Sequence, residues 1–136
     1  MEKRRAALRL LFALGLIATG AAACEPPVQG AKLESARYTL AYKLSEVAVS
    51  RHFTMDVGAC AKSGTAPQDL KVDAQMPEHR HGMNYEPQVK ALGPGRWRAE
   101  GLMLHMPGKW EFVFEVRAAG KSDRMAQMFQ LGEFSK

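Results

Sequence analysis

Hydrophobic positions recur with a period of two along much of the chain after residue 36. In "KWEFVFEV", Trp110, Phe112, Phe114 and Val116 fall on one face, and mostly polar residues fall on the other. This alternation is typical of a half-buried strand, because successive side chains of a strand point to opposite faces. Clean or partial alternation also marks six other segments, which are 37–44, 49–57, 69–76, 88–92, 95–105 and 123–131. Seven short strands are therefore predicted.

Turn-forming residues separate these segments and indicate the fold class. Glycine and proline occur in 58–67, 77–87, 93–95 and 107–108, and again at Gly120. No long helical pattern follows the first 23 residues. The sequence therefore predicts an all-β fold, an immunoglobulin-like β-sandwich of about seven strands. A small β-barrel is the alternative.

The strand predicted over 95–105 requires an irregularity. Its apolar positions have one parity up to Ala99 and the other from Leu102 onward. A glycine bulge at Gly101 would restore a single apolar face by inserting one residue. With that bulge, His105 is expected to point outward.

The first 23 residues have a different character from the rest. Basic residues precede an apolar run that ends in the small residues Ala21 to Ala23, which is the pattern of a secretory signal peptide. The run from Leu10 to Ala23 is shorter than the ~20 residues that span a bilayer as a helix. Residues 24–36 are polar and contain two prolines and a glycine. We therefore predict a signal peptide over 1–23, a flexible linker over 24–36 and a β-sandwich domain over 37–136.

The two cysteines leave two alternatives open. "AAAC" at residues 21–24 resembles the bacterial lipobox, in which the cysteine becomes the lipidated first residue. We predict the first of these, in which a lipid on Cys24 anchors an exported lipoprotein to a membrane of the cell envelope, facing the periplasm. In the alternative, ordinary cleavage gives a soluble periplasmic protein. Cys24 and Cys60 can then pair in an oxidising compartment.

Charge and motifs exclude several classes of function. The formal charge of +5 includes four basic residues and one acidic residue in 1–23, so the remainder carries 15 basic and 13 acidic residues, or +2. Nearly balanced charge removes the main electrostatic reason to expect a nucleic-acid partner. The sequence shows no Ser-His-acid order, phosphate loop or nucleotide fingerprint, so we do not predict an enzyme.

The segment "MPEHRHGM" at residues 76–83 carries the candidate metal ligands. His79, His81 and Met83 are two residues apart each time, so in an extended segment their side chains point the same way. Alternating strand directions place this loop at the same end of the domain as His105, and place the Cys60 loop at the opposite end. Imidazole and thioether together suit copper, and thioether favours Cu(I). Zinc stays open because His105 would supply a third histidine.

"MPEHRHGMNYEPQV" followed by "GRWRAEGLMLHMPGKWEFVFEV" resembles the YtkA-like family of exported bacterial domains. The resemblance implies a small immunoglobulin-like domain, often exported or membrane-tethered. It is similar in style to periplasmic copper-handling sandwiches that bind Cu(I) through His and Met. We therefore expect an envelope protein that binds or trafficks a copper ion through His79, His81, Met83 and His105. The competing hypothesis is a structural or protein-interaction module of an envelope complex, with incidental histidines.

Overall fold

The computed structural model describes residues 23–132, which form nine strands and no helix. All strand pairs in this range are antiparallel. The strands are β1 (Ala31–Glu34), β2 (Tyr38–Leu44), β3 (His52–Ala61), β4 (Asp69–Met76), β5 (His81–Gly82), β6 (Gln88–Gly93), β7 (Arg96–Met103), β8 (Gly108–Ala118) and β9 (Lys121–Leu131).

The strands form two sheets, in the orders β1-β2-β3-β7-β6 and β5-β4-β8-β9. Strands β2, β3, β7 and β6 take the places of strands A, B, E and D of an immunoglobulin domain. Strands β4, β8 and β9 take those of C, F and G. The predicted immunoglobulin-like β-sandwich is confirmed, and the alternative of a small barrel is wrong. All seven predicted strands are present, and β1 and β5 are additional.

The core lies between the sheets and is rich in aromatic side chains. On β8 the predicted alternation is confirmed, since Trp110, Phe112 and Phe114 are fully buried while the residues between them are partly exposed. Tyr42 of the other sheet contacts Phe114 with ring centroids 5.0 Å apart. Burying such a side chain is worth about 1.5–3 kcal/mol. Strand β8 therefore anchors the sheet that carries β4 and β5.

The predicted bulge in β7 is confirmed. Strand β3 has one residue, Thr54, where β7 has two, Glu100 and Gly101. Gly101 adopts a φ of 79°, a left-handed conformation that costs glycine little. Because of this extra residue, Leu102 and Leu104 return to the core face and are fully buried.

The prediction of a flexible linker over 24–36 is wrong. Strand β1 pairs with β2 along its whole length, so this segment extends the first sheet. Val28 is buried. It lies so close to Gly58 of β3 that a Cβ added at Gly58 would be 2.9 Å from the backbone nitrogen of Val28. The segment thus packs directly on β3, and the folded domain begins before residue 37.

Cys24 and Cys60 form a disulfide that joins this segment to the end of β3, across a sequence separation of 36. A lipid thioether would need the same Sγ atom of Cys24, so lipidation and this pairing exclude each other. The structure contains the Cys24–Cys60 disulfide, which is incompatible with the predicted lipid on Cys24. The predicted signal peptide, apart from Ala23, lies outside the described residues. Within residues 23–132, no helix is long and apolar enough to cross a membrane.

Candidate metal site

The sheet topology brings the two histidine-bearing segments to one end of the sandwich. Strand β4 ends at Met76, and β5 returns beside it with His81 opposite Met76. His105 lies between β7 and β8, and β8 is the neighbour of β4 in the same sheet. Both segments therefore meet at the end where β4 stops and β8 starts.

Cys60 lies at the opposite end, as predicted. It pairs with Thr39 near one end of β3, whereas His52 at the other end of that strand pairs with Met103. His105 follows Met103 by two residues. A ten-residue strand spans about 30 Å. Cys60 and its disulfide are therefore remote from the histidines.

A tight turn after β4 positions His79 and His81. The backbone N–H of His79 donates to the carbonyl of Met76 at 3.1 Å. Arg80 takes a φ of 57°, which is uncommon for a residue other than glycine. This reversal sends His81 back along β4. His79 at the tip of the turn is exposed, and His81 is partly buried.

The three histidines predicted as ligands lie together, and we call them the imidazole cluster (His79, His81 and His105). The rings of His79 and His81 are stacked, with centroids 5.7 Å apart and an interplanar angle of 27°. The rings of His81 and His105 are 5.1 Å apart and tilted by 38°. His81 is thus the central member, in contact with the other two.

Trp110 forms the inner wall of the imidazole cluster. Its ring meets His81 at 5.9 Å and His105 at 5.4 Å, both edge to face. The indole is fully buried, and its Nε1–H donates to the carbonyl of Met106 at 3.0 Å. The sequence predicts a buried aromatic here from the alternation of β8, but alternation alone gives no sign that the ring touches histidines.

His105 departs from its prediction. The expected outward side chain instead packs against Trp110 and is only partly exposed. Its Nδ1 is buried and has no hydrogen-bond partner, the one such side-chain nitrogen or oxygen within residues 23–132. A buried polar atom left unpaired costs about 1–3 kcal/mol. This nitrogen is therefore a potential metal ligand that has no hydrogen-bond partner in the protein.

Met83, the fourth predicted ligand, continues the line of β5. Its N–H donates to the carbonyl of Ala74 at 3.1 Å. Because side chains alternate along an extended strand, Met83 is expected on the same face as His81. Its side chain packs against the core and lines a groove with Val72 and Tyr85. The structure thus brings three of the four predicted ligands together, with His81 in ring contact with His79 and with His105, and leaves Met83 in that groove.

The cluster is not arranged as a finished metal site. Among residues 23–132, no group of three or more His, Cys, Asp or Glu side chains is placed to hold a metal ion. The two ring pairs stack or tilt face toward face. Binding an ion would require rotation of the side chains of His79 and His81, which are not enclosed.

Charges around the cluster partly offset one another. Arg80 lies between the two loop histidines in sequence and disfavours a bound cation by Coulomb repulsion. Glu78 lies 3.8 Å from Lys109, measured from Oε1 to Nζ, and both side chains are well exposed. Solvent screens such a pair, which contributes at most about 1 kcal/mol. The donor chemistry, more than the net field, therefore decides which ion would bind.

The fold and the cluster define a class of protein: an immunoglobulin-like β-sandwich with three imidazoles in ring contact at one end, His81 between the other two. Comparison with family models, with curated proteins and with solved structures found no match to this chain. The resemblance to the YtkA-like family stays a prediction. A function has to be inferred from the chemistry of the cluster itself.

Proposed function

We propose that this protein is an exported copper carrier that binds one ion, as Cu(I), through the imidazole cluster and Met83. The observation that carries the proposal is the contact between three imidazoles together with the buried, unpartnered Nδ1 of His105. Such a nitrogen offers a lone pair with no competing hydrogen bond. Metal ligation would satisfy it.

The donor chemistry favours copper over other cations. Imidazole nitrogen and thioether sulfur suit copper, and thioether favours the reduced ion. The only two cysteines of the chain pair with each other in the disulfide, so neither supplies a thiolate for a zinc site. Met83 follows His81 by two residues and would add the sulfur donor that distinguishes copper from zinc.

We place the carrier in the periplasm of the bacterial cell envelope. The disulfide supports an oxidising compartment, and residues 1–23 have the composition of a signal peptide. A lipid on Cys24 is the alternative to the disulfide. The intact mass of the exported protein separates the two, since a disulfide removes two hydrogens whereas a lipid adds the mass of its acyl chains.

An anaerobic Cu(I) titration against a competing chelator tests the proposal. We expect one equivalent to bind the exported protein, with a loss of affinity of at least about tenfold in His79→Ala, His81→Ala and Met83→Ala. His52→Ala is the matched control, because His52 is exposed on β3 and its ring contacts Tyr85.

Absence of binding, or binding indifferent to all three changes, would reject the carrier. The structural or protein-interaction module would then be the better hypothesis.

A further inference from the structure

Trp110 lies where it can control the cluster without binding an ion. We propose that Trp110 is a positioning residue that holds the ring of His105 with Nδ1 turned into the cluster, so that Nδ1 and not Nε2 is the copper ligand. This inference rests on the proposed function. It adds which atom binds and which residue fixes it.

The indole has little freedom to move. It is fully buried on β8, where it stands opposite Phe129 of β9. Its only hydrogen-bonding group, Nε1–H, is bound to the carbonyl of Met106 at 3.0 Å. This bond also ties the ring to the turn that connects His105 to β8. The ring orientation is thus set by the fold.

The two imidazole contacts of Trp110 have favourable geometry. Edge-to-face aromatic pairs are stable at centroid separations of about 4.5–7 Å. The pair with His105 lies within this range at 5.4 Å and 84°, and the pair with His81 at 5.9 Å and 69°. One rigid ring therefore supports both imidazoles and fixes the ring of His105, whereas His81, which is not enclosed, can still rotate to bind an ion. A smaller ring at position 110 would leave the ring of His105 loose.

The backbone around His105 is held by Ser50. Ser50 donates its N–H to the carbonyl of Leu104 at 2.8 Å and its hydroxyl to the carbonyl of His105 at 3.4 Å. With the backbone and the indole both fixed, the imidazole keeps Nδ1 in the buried, unpartnered position. A neutral imidazole has one N–H and one lone pair. Placing the proton on Nε2 leaves the lone pair of Nδ1 for the ion.

Long-range ¹H–¹⁵N spectra of the histidine rings test the assignment in the exported protein, before and after one equivalent of Cu(I). We expect the Nδ1 resonance of His105 to shift and Nε2 to keep its proton. A shift of Nε2 in place of Nδ1, or an unchanged His105 beside shifted His79 and His81, would overturn the inference and leave the carrier intact. If no histidine shifts, the proposed function itself fails.

Two variants test the positioning role. Trp110→Phe removes the indole from the imidazoles, and Trp97→Phe is the matched control because Trp97 is the other tryptophan and is also buried. Both should lower the thermal midpoint of unfolding. We expect only Trp110→Phe to weaken Cu(I) binding, by about tenfold. Equal Cu(I) affinity in the two variants would contradict the role.

The control variant also provides a readout in the same titration. Trp97→Phe leaves Trp110 as the only tryptophan, and its fluorescence should change in step with Cu(I) occupancy. An unchanged emission while copper binds would also overturn the inference. If Trp110→Phe fails to fold, this fluorescence titration and the spectra of the unmodified protein still decide it.

Discussion

At the scale of single residues, one carboxylate links the two sheets at the disulfide end. Asp123 of β9 accepts hydrogen bonds from Arg37 Nε at 2.7 Å and from Ser35 Oγ at 2.6 Å, both in the turn between β1 and β2. Arg37 supplies two further donors, its Nη2 and its backbone N–H, the latter at 3.2 Å. These donors, Arg37 foremost, hold the pKa of Asp123 below its ordinary value of 3.8.

We therefore expect Asp123→Asn to lower the free energy of unfolding by about 1–2 kcal/mol at neutral pH. Because the folded-state pKa is depressed, this contribution is present above the ordinary value of 3.8 and is lost as pH falls through the folded-state pKa. Urea unfolding from neutral pH down to about pH 2 should show the variant and the native protein converging in acid.

Asp56→Asn is the control for this substitution, since Asp56 pairs with Arg98 at a more exposed position of the sheet. Asp56→Asn should lower the free energy of unfolding by less than Asp123→Asn does. An Asp123→Asn variant that is no less stable than Asp56→Asn, or a difference from the native protein that persists in acid, would contradict the assigned role of Asp123.

At the scale of elements, the segment before β2 is an integral part of the first sheet. Gly30 approaches β2 so closely that a methyl group there would overlap the carbonyl oxygen of Tyr42. We expect Gly30→Ala to lower the free energy of unfolding by about 1–3 kcal/mol, as overpacking does. Gly132→Ala is the control, because a Cβ at Gly132 meets no atom within 4 Å. Chemical denaturation measures the free energy of unfolding of both variants. Equal and negligible losses in the two would contradict this prediction and show that the segment is only loosely attached.

The elements that the sequence predicts are those that bury one face. Strands such as β4 and β8 alternate buried and more exposed residues, so a period of two reveals them. Strand β1 has three exposed residues and only Leu33 partly buried, because it covers an edge of the sheet and not the core. Strand β5 has two residues, too few for any period. Both form through pairing with a neighbour, which hydrophobic periodicity does not record.

At the scale of the whole molecule, the disulfide stabilises the fold chiefly by restricting the unfolded chain. Closing a loop with a sequence separation of 36 is worth about 3–4 kcal/mol. We expect the double variant Cys24→Ser, Cys60→Ser to lose most of that stability in urea unfolding. Native protein in a thiol reductant should lose a similar amount, whereas reductant should leave the double variant unchanged. A native protein insensitive to reductant would contradict the pairing.

Strand topology was enough to predict where the candidate site lies, but not how its side chains contact one another. Counting strand directions is enough to bring His79, His81 and His105 to one end, because antiparallel connections alternate. The contact of Trp110 with two imidazoles and the burial of His105 Nδ1 depend on rotamers in a packed core. Residue order in the sequence does not determine those rotamers, so the expected outward side chain of His105 was wrong.

The path of the chain also sets how the domain can be tethered. Cys24 is fixed beside Cys60 at one pole, whereas Leu131 pairs with Gly108 at the pole of the imidazole cluster. A surface or fusion partner attached ahead of Cys24 would hold the domain with its histidines facing away, about one strand length from the attachment point. Attachment after Gly132 would place the same partner next to the histidines. For binding measurements on immobilised protein, attachment at the amino-terminal side is therefore better, because it leaves the histidines accessible.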